Sequence, residues 1–397
     1  MSGQPVIVDA IRTPMGRGKP SSGSLASVHP VELLAGLLSR LVTRNQIDPG
    51  VIDDVIIGCV SQVSEQSATP GRLALLAAGF PEQVPATTID RKCGSSQQAI
   101  HFAAQGVMAG VYEVVIAGGV ESMSRVPMGS ARIGADLFGP SVAARYSPGL
   151  VPQGVSAELV ARKWGIGREE MDSYAAASHR RAAALRDGGS FAKEIDPVWV
   201  DKRLVAEDET IRPGTTKEAL SELKPSFRTE PYAERFPEID WSVTAGNSSQ
   251  ITDGAAVLLI ASEPFVARAG LLPRARFVAF DVCGDDPMLM LTAPIASTRR
   301  VLAKSGLGLS DIDHFEINEA FASVPLAWQR SLGPDPEKLN PCGGAIALGH
   351  PLGASGARLM TTMLHALERK GQRFGLQSMC EAGGMANSTI IERIGNG

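Results

Sequence analysis

The sequence predicts an α/β protein built from two similar βα halves, with a wetter unit inserted between them. Three observations carry this reading. Apolar runs of strand length alternate with segments of helical period. The same succession of elements occurs twice, once before about residue 119 and again in the last third. Between them, charge and proline become more frequent. The boundaries that follow are 1–119 with 248–268 for the N-terminal core half, 120–247 for the inserted loop domain, and 269–397 for the C-terminal core half.

Taken in order, Pro5 to Ala10 reads as a strand, and residues 29–45 as a helix with Pro30 in its first turn. Ile52 to Gly58 is a strand, Gly71 to Gly79 a helix, and Ala86 to Ile89 a β-branched strand. After a sharp turn comes a helix from Cys93 to about Gly110. Gly94, Ala99, Phe102, Ala103, Ala104, Val107 and Met108 surround it without a polar stripe, which predicts a helix buried between two sheets. Val114 to Gly119 is a fully buried strand, and the alternation predicts a largely parallel sheet. In the insertion, Ser156–Lys163 and Arg168–Leu185 are helical. Its basic residues Arg203, Arg212, Lys217, Lys224 and Arg228 form either a solvated face or a dock for a phosphorylated ligand. Core texture returns at Asp253–Ile260. A helix over Ala296–Leu307, a strand over Asp311–Ile317, a small-residue helix after His350 and a strand over Phe374–Gly384 repeat the first plan.

Composition excludes several classes. The chain has 397 residues, 44% hydrophobic and 20% charged, which is ordinary for a globular protein with a large core. A net charge of −4 argues against a nucleic-acid partner or a membrane-surface role. Five dispersed cysteines without a C-x-x-C pair fit reduced thiols better than disulfides or structural zinc, so a cytoplasmic location without bound metal is expected. The chain shows no signal segment, no run of membrane-spanning length and no lipidation motif.

The chemistry begins at Cys93. A thiol at a helix start meets unpaired N–H groups and the positive dipole end, which favour the thiolate, and Arg91 and Lys92 would act in the same sense if they point inward. The alternative is a buried cysteine packing as a small hydrophobe. Three later stretches are too ornate for ordinary loops. Asn318-Glu319-Ala320-Phe321-Ala322 caps a strand, Asn340 to Gly353 sets His350 among glycines, and Met379-Cys380-Glu381-Ala382-Gly383-Gly384 ends a strand with a second thiol. With Cys93-Gly94-Ser95-Ser96, and with Thr244–Ser249 before Asp253-Gly254-Ala255-Ala256, these motifs lie in the order of the thiolase family. The sequence resembles that family along essentially its whole length.

The resemblance implies a fold layered α-β-α-β-α and an acyl-CoA:acetyl-CoA C-acyltransferase that works through an acyl-cysteine. Cys93 would be the nucleophile and His350 its base. His350, with a water held by Asn318, would then cradle the thioester oxygen as an enolate forms. Cys380 would protonate the enolate carbon, or deprotonate it in condensation. The backbone N–H groups of Cys93 and Ala382 would form a second oxyanion hole. Two departures stand out. Family members commonly carry glycine where this chain has Ala382, and Glu381 is more polar than usual. Alanine keeps the N–H, but a turn demanding positive φ would strain it and reduce activity. Gln153 falls where short-chain members have a pocket methionine, and Met290 matches another. Gln153 therefore points to a different or bulkier acyl group. For coenzyme A, Arg212 would meet a phosphate, and Ser226 and Phe227 would pack the adenine. Ala245, Gly246 and Ser249 would line the pantetheine channel, with Ala320 and Phe321 closing its far wall. Coenzyme A thioesters are then substrates, with no resident cofactor.

Glu319 is expected as a buried structural acceptor, and Cys59, Cys283 and Cys342 as packing residues. His29, His101, His179, His314 and His365 receive no role. The family implies a homodimer or homotetramer, with a lipid-oxidation complex as a possible partner. Thiolysis in fatty-acid or sterol-derived acyl-CoA degradation is the leading function. A biosynthetic acetoacetyl-CoA thiolase and a non-catalytic CoA-binding subunit are the alternatives. Decarboxylating condensing enzymes pair their cysteine with two histidines or His/Asn, which Cys380 opposes, and a Cys/His metal protein lacks ligand spacing.

Overall fold

A computed structural model describes residues 3–395. Its strands are β1 (Pro5–Arg12), β2 (Asp54–Gly58), β3 (Ala86–Ile89), β4 (Val114–Ser122), β5 (Thr252–Ser262), β6 (Ala275–Gly284), β7 (His314–Ile317), β8 (Phe374–Glu381) and β9 (Met385–Arg393). With a short Gly16–Arg17 segment paired to β5, they form a ten-stranded sheet in the order β7-β8-β9-β6-β1-β5-β4-β2-β3. The main helices are α1 (Pro30–Arg44), α2 (Pro70–Ala77), α3 (Ser95–Met108), α4 (Gln153–Trp164), α5 (Arg168–Asp187), α6 (Ala293–Ser305), α7 (Ser323–Leu332) and α8 (Ser355–Lys370).

Strand direction follows the connections. β2 pairs in parallel with β3 and β4, and β7 with β8, where a helix makes the crossover. The other pairings are antiparallel, so the sheet is mixed rather than parallel throughout. The parallel pairs are the ones that deliver Cys93 and Asn318 to the same region. β6 and β9 escaped the sequence reading. The middle of β9 is polar, and its Asn387, Ser388 and Thr389 are wholly buried. Each finds an internal partner: Asn387 Nδ2 donates to Gly94 O at 3.0 Å, Ser388 Oγ to Ser378 Oγ at 2.8 Å, and Gln97 Nε2 to Thr389 Oγ1 at 2.8 Å.

The helices make the layers. α1 starts on His29, whose Nδ1 accepts from Val31 N at 3.2 Å, with Pro30 in the first turn. Leu33, Leu34, Leu37, Leu38 and Leu41, spaced for one face, bury against β1, β4 and β5. α2 joins it on that outer face. α6 covers the outer face of β6, β8 and β9, with α7 packed beside it. α3 and α8 lie back to back between the two parts of the sheet, completing the five layers. α8 is buried from Ser355 through Leu367, as a middle-layer helix must be. α3 departs from expectation. Ser95 to Ala104 are buried except for Phe102, but Phe102 and Met108 are 44% and 37% exposed, because α8 covers only one side of the helix.

The two halves approach closely through glycine. A Cβ on Gly119 would lie 2.1 Å from Gly353 O, so neither β4 nor the loop before α8 could close up if Gly119 carried a side chain. Residues between Ser122 and Thr252 add no strand to the large sheet. They are tied to it by Arg12, fully buried on β1, which donates to Glu194 at 2.7 Å and to Asp208 at 2.6 Å.

Candidate active site

Cys93 sits between β3 and α3 on a turn of unusual backbone. Lys92 adopts φ +50°, a conformation costing a non-glycine residue about 1 kcal/mol or more. Ser95 holds the turn: its Oγ accepts from Arg91 N at 2.9 Å and donates to Lys92 O at 2.5 Å. The Cys93 sulfur faces its own N–H, the Ala382 N–H and the Gln153 side chain, all of which favour a negative sulfur. Burial outweighs them and, with the nearby Glu381 carboxyl, pushes the thiol up to about 12. This corrects the expectation of an acidified thiol. Lys92 does not aid it, because its ammonium pairs with Asp90 at 2.6 Å near the surface. Arg91 acts instead on Glu381.

Cys380, near the end of β8, faces Cys93 and the Asn318 side chain, and burial raises its thiol as well. The two thiols differ in access. Cys93 and His350 each keep 4% of their surface exposed, whereas Cys380 keeps none. Two surface clefts of about 480 and 450 Å³, lined by Lys202 and Arg203 and by Arg72 and Glu82 among others, lie apart from these groups.

The imidazole of His350 has a defined tautomer. Ser355 Oγ donates to Pro351 O at 2.8 Å, so at 2.5 Å from His350 Nδ1 it must accept. Nδ1 therefore carries the proton and Nε2 a lone pair. Asn318 Nδ2, a donor 3.4 Å away, faces that lone pair. Burial, reinforced by the Arg358 charge, pushes the imidazole down to about 3, so it is neutral at physiological pH. Asn318 Oδ1 has no partner among the described residues and is free to accept from a water.

Glu319 anchors this arrangement from beneath. It accepts from Tyr174 Oη at 3.0 Å, Ser178 Oγ at 2.7 Å, Asn340 Nδ2 at 3.1 Å and Ile346 N at 3.1 Å. It thereby joins α5 to the segments bearing Asn318 and His350. Asn340 brackets Ile317 through both its N–H and its C=O at 2.8 Å.

Ala382 is unstrained. The positive φ of the turn falls on Gly383 (+97°) and Gly384 (+80°), leaving the Ala382 N–H aimed at Cys93. Met290 adopts φ +55° and joins Cys380, Ala320, Phe321, Phe227 and Ala382 in one apolar cluster. Phe227 meets Phe321 edge-to-face at 5.8 Å and rests on Gly154 of α4. Ser249 N donates to Ala320 O at 2.9 Å, and Gly246 packs against Leu220 and Leu223. Ser226 and Ala245 are exposed at the rim. Arg212 stands apart from this cluster, exposed, with Nη2 donating to Gln250 at 3.0 Å and its backbone N–H donating to His179 Nδ1 at 3.1 Å. Of the expected residues, Cys93, Cys380, His350, Asn318, Ala382 and Gln153 thus group together, Arg212 stands apart, and the remainder form a wall and rim.

Ser355 was missed by sequence reasoning, its only signal being a serine at a helix start five residues after the histidine. Cys59, Cys283 and Cys342 are buried and unpaired to one another or to the site thiols.

Two buried thiols, one neutral imidazole and converging amide donors make an arrangement suited to nucleophilic chemistry at a cysteine. Comparisons with known proteins give the family. The thiolase N-terminal domain matches residues 5–264, and the thiolase C-terminal domain residues 271–393. A steroid 3-ketoacyl-CoA thiolase of Mycobacterium tuberculosis is 46% identical, covering 98% of this chain and 94% of that one. A 3-ketoacyl-CoA thiolase of Erwinia tasmaniensis is 45% identical over 98% and 99%. The solved structure of the Bacillus anthracis acetyl-CoA acetyltransferase superposes with a TM-score of 0.88 at 38% identity, over 99% of both chains. The chain belongs to the thiolase family. It is an enzyme of the acetyl-CoA C-acyltransferase class.

Proposed function

We propose that this enzyme cleaves a 3-ketoacyl-CoA by thiolysis, carrying the acyl chain as a thioester on Cys93. His350 Nε2 takes the Cys93 proton as the sulfur attacks the 3-keto carbon, and the Cys93 and Ala382 N–H groups meet the resulting oxyanion. The C2–C3 bond breaks and its electron pair passes to an enolate of acetyl-CoA. The protonated His350 and a water on Asn318 hold the enolate oxygen. Cys380 donates its proton to the enolate carbon and acetyl-CoA leaves. In the second half, the Cys380 thiolate takes the proton of an incoming CoA thiol. The CoA sulfur displaces Cys93, which recovers its proton from His350.

The observation that carries this is the grouping of Cys380 with Cys93 and the Asn318 side chain, whose Nδ2 lies 3.4 Å from His350 Nε2. Burial raises both thiols and keeps the imidazole neutral, so the resting site holds thiols and an unprotonated base rather than a stored thiolate. Glu319 serves as the buried anchor.

The insertion, 120–247, is the CoA-docking unit between the core halves 1–119 with 248–268 and 269–397. Arg212 takes a phosphate, Ser226 and Phe227 the adenine, and Ala245, Gly246, Ser249, Ala320 and Phe321 the pantetheine arm. Gln153 and Met290 face the acyl group. The steroid-acting relative and Gln153 support a bulky fatty or steroid-derived acyl chain in a degradative role. No described helix is long and apolar enough to cross a membrane, and a cytoplasmic location is proposed from the reduced thiols. The exposed Phe102 and Met108 stripe of α3 supports a homo-oligomer, which sedimentation tests.

The test is thiolysis of a panel of 3-ketoacyl-CoA thioesters, with mass spectrometry of the trapped acyl-enzyme. Cys93→Ala should abolish trapping. Cys380→Ser should still trap acyl from a simple acyl-CoA but stop carbon–carbon cleavage. Acyl label on another cysteine in Cys93→Ala would overturn the assignment.

A further inference from the structure

Glu381 ends β8 between Cys380 and Ala382, wholly buried, and neither carboxyl oxygen has a hydrogen-bond partner among the described residues. It presses on the residue that follows the nucleophile. A Cβ on Gly94 would lie 2.0 Å from Glu381 Oε1 and 2.8 Å from its Cδ, so the carboxyl fills the space a side chain would take at the start of α3. Asn387 lines the same space, its Nδ2 committed to Gly94 O at 3.0 Å. The charged and titratable groups facing Glu381 are Arg91 and Asp90 of the turn before Cys93, together with the two thiols.

An unpartnered buried carboxylate is costly as an anion and holds its proton. Burial pushes Glu381 up to about 8, Arg91 opposing and Asp90 reinforcing the shift. At neutral pH the neighbour of Cys93 is thus an uncharged acid. Once ionised, it places a negative charge near the sulfur that must itself become negative, and its oxygens have no hydrogen-bond donor among the described residues to stabilise that charge.

We propose that Glu381 is a positioning residue that governs Cys93: in its protonated form it permits the sulfur to ionise, and in its ionised form it restrains the sulfur. The proton lost on the alkaline side goes to solvent and takes no part in turnover. The proposal rests on the reading of Cys93 as nucleophile.

The test follows the single-turnover rate of Cys93 acylation by a simple acyl-CoA, with mass spectrometric location of the label, between about pH 6.5 and about pH 9.5. The ratio of the rate at the upper pH to that at the lower should be about tenfold larger in Glu381→Gln than in the wild type, the change expected for about one unit of thiol pKa. Glu381→Met, of similar length and without charge, should behave alike if the glutamine variant folds poorly. Parallel pH profiles, or a rate lowered by one factor at every pH, would mark a packing role and overturn the proposal. In Cys93→Ala, label moving to another cysteine would instead overturn the nucleophile assignment, a failure distinct from parallel profiles with label on Cys93.

Discussion

Replacing Ser355 by alanine tests whether the His350 tautomer is set by one hydroxyl. The change removes the acceptor 2.5 Å from His350 Nδ1 and nothing that faces the thiols directly. The Nδ1 proton is then buried without a partner, at a cost of about 1–3 kcal/mol. The ring can avoid this by shifting its proton to Nε2, but there it confronts the Asn318 amide donor 3.4 Å away. Both escapes are poor, and the state with a free lone pair on Nε2 loses population. At about 1.4 kcal/mol per tenfold, kcat/KM for thiolysis should fall roughly 10- to 100-fold. Folding stability should fall by about 1–3 kcal/mol. The rate is followed by loss of the 3-ketoacyl-CoA, and the tautomer by nitrogen chemical shifts of the labelled histidine. A variant with kcat/KM within about twofold of wild type, its Nδ1 still protonated, would show that the hydroxyl does not set the base.

Three further outcomes follow. Glu319→Gln turns one acceptor into a donor amid four donors; urea denaturation should show a loss of about 2–3 kcal/mol, with kcat reduced. Ala382→Gly should leave acylation within about twofold, because Ala382 avoids positive φ and either residue supplies the N–H; a large gain would mean the methyl group strains the turn. His350 and His101 are both held down at about 3 by burial. Between pH 6.5 and pH 3 the unfolded chain therefore binds protons that the folded chain does not, and stability should fall with pH across that window. His101→Gln should flatten the fall in a thermal-denaturation series, and an unchanged slope would refute the assignment.

Much of the fold was legible locally. Alternating apolar runs placed α1, β3, β4 and α8, and positioned Cys93 before a helix and His350 before another. β9 was not legible, because its polar middle residues are satisfied only by partners far along the chain, such as Gln97 for Thr389. Nor was the exposed stripe of α3, since periodicity reports apolar character and not which layers cover it.

The sequence alone determined which groups are available: two thiols, an imidazole, an amide and the glycines that let segments approach. Its motif order determined the family. Tertiary structure decided their chemical state. A helix start predicts an acidified Cys93, yet in the folded chain burial and Glu381 raise it, because desolvation depends on everything packed around the sulfur. The Lys92 turn and the Ser355 contact of His350 are local, but the neutrality of the imidazole and the Asn318 amide facing its Nε2 arise only when distant segments meet and exclude water.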